Sequence, residues 1–314
     1  MSRTVLMPQA LTRHKSHRKR EMPRMTAPQE RHWMVDDLRL WGLVWGASHG
    51  TPVLALHGWM DHADSFRVVA PRLRGCHVVA LDLSGQGHSA HRAAHATYNI
   101  WDDLPQIVGV MDQLGWRDCV LLGHSRGANI AALLSAALPE RARALIALDS
   151  LVPEPSDATV PATLRAFLQQ TRDQVSRGAR SFSGRGAYID RRVRQGNARS
   201  TAETLADRAI LETSEGVFLR GDPRLFASSA IKLNRAQIHD VLGAIRCPVL
   251  NVWGNRGILQ SRPALAMLVD EAQRLVTDYT RIEMDGDHHL HLDPETAEKI
   301  AVAMGEFLEK RNLT

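Results

Sequence analysis

Short apolar runs bounded by Gly, Ser or Pro alternate along this chain with segments whose apolar residues recur at helical spacing, and that alternation admits few folds. Residues 38–45 (LRLWGLVW), Pro52–Leu56, His77–Leu81, Cys119–Leu122, Ala144–Leu148, Pro248–Trp253 and Arg281–Met284 read as strands. Between them, Ile100, Leu104, Ile107, Val108, Met111 and Leu114 mark a helix within 97–115 that Gly115 closes. A small-residue helix follows over 126–138, another lies near 261–275, and a last one starts at Pro294 with Ala297, Ile300, Ala301, Met304, Phe307 and Leu308 on one face. Apolar strands alternating with amphipathic helices imply a mostly parallel α/β sheet covered on both faces. The rhythm breaks over 151–240, where Gly, Ser and Arg become frequent and the apolar spacing is helical where it exists. The expected organisation is one α/β domain, residues 31–150 and 241–314, carrying a helical cap over 151–240.

At 314 residues the chain is long enough for one large domain with a sizeable insertion, and at 44% hydrophobic it can bury a core. No apolar stretch approaches the length of a membrane span, and no apolar h-region opens the chain, so neither membrane insertion nor secretion is expected. Cys76, Cys119 and Cys247 each sit in or beside an apolar run, which suggests reduced thiols and a cytoplasmic protein. Much of the net charge of +5 comes from Arg13-His14-Lys15-Ser16-His17-Arg18-Lys19-Arg20. An organelle address or a nucleic-acid or membrane patch would use such a run, but a solvated tail over residues 1–30 is the simpler reading. The expected partner is therefore a small-molecule substrate, with neither nucleic acid nor membrane.

The strongest local signal is Gly123-His124-Ser125-Arg126-Gly127, a G-x-S-x-G set between an apolar strand and a small-residue helix. A sharp strand-to-helix turn lifts the serine hydroxyl above the sheet, and only small flanking residues permit it. The helix that follows turns its free N–H groups and its dipole toward developing negative charge. An attacking serine needs a base and an oxyanion hole. The first hole donor is expected to be the N–H of Arg126. The second is expected to be the N–H of Trp59 in the loop His57-Gly58-Trp59-Met60, with His57 bracing that loop by hydrogen bonds. A strand-end Asp82 reads as the anchor of the following Gly85–Gly87 loop, and Asp61 and Asp64 as braces of the loop bearing Trp59.

Four ordered blocks, LHGWMDHADSF (56–66), LDLSGQGHS (81–89), GHSRGA (123–128) and GDHHLHLDPE (286–295), resemble the α/β-hydrolase superfamily over roughly residues 35–310. The HGW-x-D and HHxH pieces resemble its serine hydrolase-like branch most. The resemblance implies an eight-stranded sheet, a lid inserted after the sixth strand, a Ser-acid-His order and no cofactor. By the family pattern the base falls at Gly286-Asp287-His288, five residues before Asp293, which selects His288; His289 and His291 stay open as alternatives. These three histidines also allow a metal reading, but no carboxylate or cysteine set in the sequence completes one, so no metal is expected. The acid departs from the family pattern. The G-x-x-D position reads Gly254-Asn255-Arg256-Gly257, and no Asp or Glu occurs from Val241 to Val269. Because some members of the superfamily place the acid after the sixth strand, the resemblance implies Asp149, at the end of the strand Ala144–Leu148, as the acid, with a turn-capping aspartate or a Ser-His dyad as the alternatives.

The cap holds 14 Lys plus Arg against 10 Asp plus Glu, read as a solvated surface more than an anion funnel. Within it Phe167, Phe182, Tyr188, Phe218, Leu219 and Phe226 are candidates for an acyl or aryl pocket, and Trp59 and Trp253 for residues narrowing the site. The function expected is that of a carboxylesterase-like serine hydrolase. A thioesterase, a C–C bond hydrolase or a silent ligand-binding relative would fit the same scaffold. Dehalogenase and epoxide hydrolase chemistry, as the family resemblance implies, would place aspartate where Ser125 stands.

Overall fold

The structure, a computed structural model, describes residues 27–262 and 264–314; the basic run at 13–20 lies outside the described residues. In chain order the elements are β1 (Gln29–Val35), β2 (Leu38–Trp45), β3 (Thr51–Leu56), β4 (Cys76–Leu81), α1 (Leu104–Gln113), β5 (Cys119–His124), α2 (Arg126–Ala137) and β6 (Ala142–Leu148). Between β6 and the next strand of the main sheet come α3 (Val160–Arg177), β7 (Ser181–Phe182), α4 (Arg185–Arg194), α5 (Arg199–Ala209), β8 (Ile210–Thr213), β9 (Gly216–Leu219) and α6 (Arg235–Ala244). The chain ends with β10 (Val249–Arg256), α7 (Ile258–Ser261), α8 (Ala264–Leu275), β11 (Tyr279–Asp287) and α9 (Pro294–Glu309).

The main sheet has eight strands in the order β1-β2-β4-β3-β5-β6-β10-β11, parallel from β4 to β11. β2 joins β4 antiparallel and β1 turns back on β2, so the parallel body carries an antiparallel edge. Apolar side chains on the two faces form two separate cores. One packs against α1, α2, α6 and α8, the other against α9 and the segment 63–76. Every expected strand is present. β1 was not expected: its sequence QERHWMV is largely polar because it is an exposed edge, and only Trp33 and Val35 turn inward. It begins at Gln29, so the last two residues assigned to the tail pair with Val44 and Leu43 instead. The expected helix over 97–115 is shorter, because the Asp102 carboxylate accepts from the Asn99 N–H and the Thr97 hydroxyl and holds that stretch as turns.

Register puts the chemistry at one end of the sheet. Leu56 of β3 pairs with Gly123 of β5, and His124 of β5 pairs with Leu148 of β6, so His57, Ser125 and Asp149 all leave the sheet together at the strands' carboxyl ends. β11 ends nearby at Asp287 and delivers His288. The crossing of α2 over β3 is close enough that only glycine fits at Gly127. A Cβ there would overlap the backbone carbonyl of Leu56 and stand 2.7 Å from the carbonyl oxygen of His57. Gly127→Ala should therefore force α2 off the sheet and cost several kcal/mol, on the order of the largest single-site losses. Urea denaturation checks it, and a loss under about 1 kcal/mol would show that α2 can shift freely.

The segment between β6 and β10 has a small core of its own, in which Tyr188, Ile189, Ala202, Ala206, Leu219 and Leu225 surround Met60. It is not purely helical, since β7, β9 and β8 form a three-stranded antiparallel sheet. Buried arginines tie it down. Arg208 meets Asp82 at 2.6 Å and Glu30 at 2.7 Å, while Arg192 meets Asp61 at 2.8 Å. Buried pairs like these add little net stability over apolar packing, but removing one partner strands the other charge, so they fix how the segment docks.

Candidate active site

β5 ends in a tight turn that holds Ser125 at φ 52°, ψ −119°, a left-handed conformation that a side-chain-bearing residue adopts only under constraint. Its N–H bonds the carbonyl of Leu148 at 3.1 Å, and its carbonyl accepts from Ala128 and Asn129 as α2 begins. The hydroxyl is thus raised above the sheet edge at a helix N-terminus. Its oxygen lies 2.9 Å from His288 Nε2. The other ring nitrogen, Nδ1, lies 2.6 Å from Asp149 Oδ2. The order of protons follows: Nδ1–H donates to the carboxylate, and Nε2 accepts from the serine hydroxyl.

Asp149 is fully buried and itself left-handed, at φ 47°. Beyond His288, its oxygens accept from the N–H of Gly254 at 3.0 Å and the N–H of Ile258 at 2.8 Å. This explains the missing acid at position 257. A Cβ on Gly257 would overlap the Asp149 carboxyl group, so one aspartate fills the space where the family pattern puts another. Position 257 reaches the same place from β10 that Asp149 reaches from β6.

Of the alternative bases, neither approaches Ser125. His289 Nε2 donates to Asp61 at 3.0 Å, and His291, fully buried, pairs through Nε2 with the Ser65 hydroxyl at 2.9 Å. Burial, followed by the charge of His289, drives the His291 pKa well below the ordinary histidine value. His57 braces its loop as expected: Nδ1–H donates to the Gly58 carbonyl at 2.8 Å and Nε2 accepts from the Leu83 N–H at 3.0 Å. Complete burial lowers its pKa to about 4. The unfolded chain then takes up a proton between about pH 6.5 and 4 that the folded one refuses, so stability is lost as pH falls through that window. At about 1.36 kcal/mol per unit this amounts to roughly 3 kcal/mol. Denaturant midpoints at pH 7 and pH 4.5 should show this loss within the total from all the buried histidines, and His57→Gln should reduce the pH dependence by about that amount; an unchanged slope in that variant would contradict the assignment.

Asp82 behaves as an anchor. It accepts from the N–H of Ala63 at 2.7 Å and of His88 at 2.9 Å, and from Arg208. Asp64 pairs with Arg67, three residues on. Asp61 departs from its expected bracing role, because its carboxylate reaches outward to Arg192 and inward to His289. Burial alone would raise its pKa, but His289 and Arg192 hold it well below the usual carboxylate range.

Ser125, Arg126, Gly58, Trp59 and His288 border one cavity of about 760 Å³. Among the described residues no backbone acceptor engages the N–H of Trp59 or of Arg126. The Arg126 side chain turns away and is held by Asp103 at 2.9 Å. The cavity wall also carries Glu154, Arg192, Gln195, Asn197 and Arg262 alongside Val152, Ile258 and Leu265, so it is mixed polar and apolar. The aromatic residues expected to form an acyl pocket do not line it. Phe182, Tyr188, Leu219 and Phe226 pack within the small core of the 151–248 segment, and Phe167 and Phe218 also lie off the wall. Trp253 is likewise absent from the wall; it is buried in β10, its indole N–H donating to Asn251. Sequence reasoning missed Arg192 and the link from His124 Nε2 to the His288 carbonyl at 2.8 Å; neither carries a spacing signal. No helix among the described residues is long and apolar enough to cross a membrane.

Comparison with known proteins agrees with the fold. A model of the alpha/beta hydrolase fold matches residues 51–293. A serine hydrolase-like protein of Danio rerio is 28% identical over 282 residues, covering 86% of this chain and 85% of its own length. Among solved structures, a hypothetical protein of Pseudomonas aeruginosa PAO1 superposes with a TM-score of 0.84 at 34% identity, over 89% of this chain and 99% of that one. A thioesterase domain from the curacin biosynthetic pathway shares the fold, with a TM-score of 0.74 at 24% identity over 89% of this chain and 99% of that one. The chain belongs to the alpha/beta hydrolase fold family, and within it is similar to the serine hydrolase-like proteins.

Proposed function

We propose that this protein cleaves a carboxylic ester or related acyl bond through a covalent acyl-enzyme. Ser125 attacks the carbonyl carbon while His288 Nε2 takes the hydroxyl proton. The imidazolium, oriented and stabilised by Asp149, then returns that proton to the leaving group. The N–H groups of Trp59 and Arg126 hold the oxyanion. Water, deprotonated by His288, releases the acid and restores the serine. The observation that carries this reading is the unbroken hydrogen-bond relay from Ser125 through His288 to Asp149, at 2.9 and 2.6 Å.

The cavity wall mixes Val152, Ile258 and Leu265 with the charged Glu154, Arg192 and Arg262 and has none of the cap aromatic residues expected there, which supports a short or polar acyl group over a long alkyl chain. We take residues 151–240 as the cap that supplies this wall. We also read the protein as cytoplasmic, in keeping with three cysteines that are free and buried, their thiols pushed up by burial to about 11, 12 and 11 for Cys76, Cys119 and Cys247. p-Nitrophenyl esters of increasing acyl length test the proposal. Turnover with a p-nitrophenol burst near one per chain, best for the short acyl groups, is expected. No turnover of any ester, thioester or vinylogous diketone would contradict it and leave a ligand-binding protein on this scaffold.

A further inference from the structure

Beneath the Ser125–His288 pair, three side chains that the proposed reaction does not use converge. Asp61 Oδ2 lies 3.0 Å from His289 Nε2 and 3.8 Å from His124 Nδ1. All three residues are buried, and their donor atoms lie within 4.8 Å of one another. The tautomer of His124 is set by its other nitrogen, because Nε2 must donate to the His288 carbonyl at 2.8 Å. Nδ1 therefore carries a lone pair. It has no hydrogen-bond partner and faces a carboxylate oxygen, so two electron-pair donors are turned toward each other.

Room between the donors exists because residue 58 is glycine. A Cβ at Gly58 would stand 3.0 Å from His124 Nδ1 and 3.1 Å from Asp61 Oδ2, in contact with both donors at once. Gly58, Asp61 and His289 also border the cavity, so the cluster has a route to solvent.

We propose that Asp61, His124 and His289 form a binding site for a divalent transition-metal ion, with the position toward the cavity left to water. Two imidazole nitrogens and one carboxylate oxygen suit zinc or its neighbours, and disfavour magnesium or calcium, which prefer all-oxygen shells. Bonds of about 2.0–2.1 Å place tetrahedral ligands roughly 3.3 Å apart, so donor atoms that now lie within 4.8 Å of one another close by up to about 1.5 Å on binding. His289 passes to its Nδ1–H tautomer as Nε2 turns to the ion. Arg192 keeps the other Asp61 oxygen, Oδ1, and its charge weakens the site without blocking it. The sequence reading lacked a carboxylate for these histidines; the fold supplies Asp61 from a distant loop.

The consequence for turnover rests on the proposed role of His288. The His124 and His289 rings lie 4.8 and 5.3 Å from the His288 ring. A dication held by them disfavours the imidazolium that the reaction needs, so binding should inhibit, reversibly with EDTA.

Calorimetric titration of the full chain with Zn²⁺ tests the site without reference to hydrolysis. One ion per chain is expected, with affinity at least tenfold weaker in His289→Gln and Asp61→Asn and unchanged in His288→Ala. His289→Gln keeps a polar contact to Asp61, and its thermal melt shows whether it has folded. Absence of wild-type binding, retention of the ion in folded His289→Gln, or loss of it in His288→Ala would overturn the site, the last by making the base itself the ligand. Failure of the hydrolase reading would show separately, as ion binding with no ester turnover.

Discussion

Ser125→Ala is expected to lower kcat/KM for any turned-over ester by about 10⁴- to 10⁶-fold, the span seen when a serine nucleophile is deleted from a working triad. The hydroxyl takes no part in the sheet or in either apolar core, and its one side-chain partner among the described residues is His288. The backbone bonds that hold the strained turn belong to the Ser125 N–H and carbonyl, which alanine keeps. The variant should thus melt close to wild type while losing turnover. A loss under tenfold at equal stability would mean that the reaction does not pass through this oxygen.

The second large effect is expected at Asp149. Asp149→Asn replaces an acceptor with an amide that can present N–H to His288 Nδ1. That favours the wrong tautomer, in which Nε2 carries the proton and no longer accepts from Ser125, and a drop of about 10⁴-fold in kcat follows. Asp82→Asn is the control. Its carboxylate receives Ala63, His88 and Arg208 and touches none of Ser125, His288 or the cavity wall, so its cost should fall on stability instead. Steady-state kinetics set beside denaturation curves separate the two. Near-wild-type kcat in Asp149→Asn would reduce the relay to a Ser-His dyad. Because Gly257 is closed by the Asp149 carboxyl group, Gly257→Asp alone should not supply a second acid; it should displace the first.

The parallel body of the sheet is legible in the sequence because its strands are buried on both faces and read as continuous apolar runs. β1 is not, since an edge strand has one face to solvent and keeps polar residues. What marks it is the two-residue turn at Asp36 and Asp37, both left-handed, as a tight hairpin requires. Ser125 stands out because its turn tolerates only small neighbours, and Asp149 follows from the stretch without acids taken with the family resemblance, in which some members carry the acid after the sixth strand. The Asp61–His124–His289 cluster leaves no trace in spacing, because its members come from three separate strand ends. The aromatic residues of the cap show the opposite failure. Their composition suggested a substrate wall, but a segment this size needs its own core, and that need took Tyr188, Phe182 and Phe226.

Treatment of the purified protein with a fluorophosphonate, followed by intact-mass and peptide analysis, addresses the nucleophile most directly. A single adduct per chain, carried by the peptide containing Ser125 and absent from Ser125→Ala, is the predicted result. An unmodified protein, or an adduct that persists in the alanine variant, would contradict it.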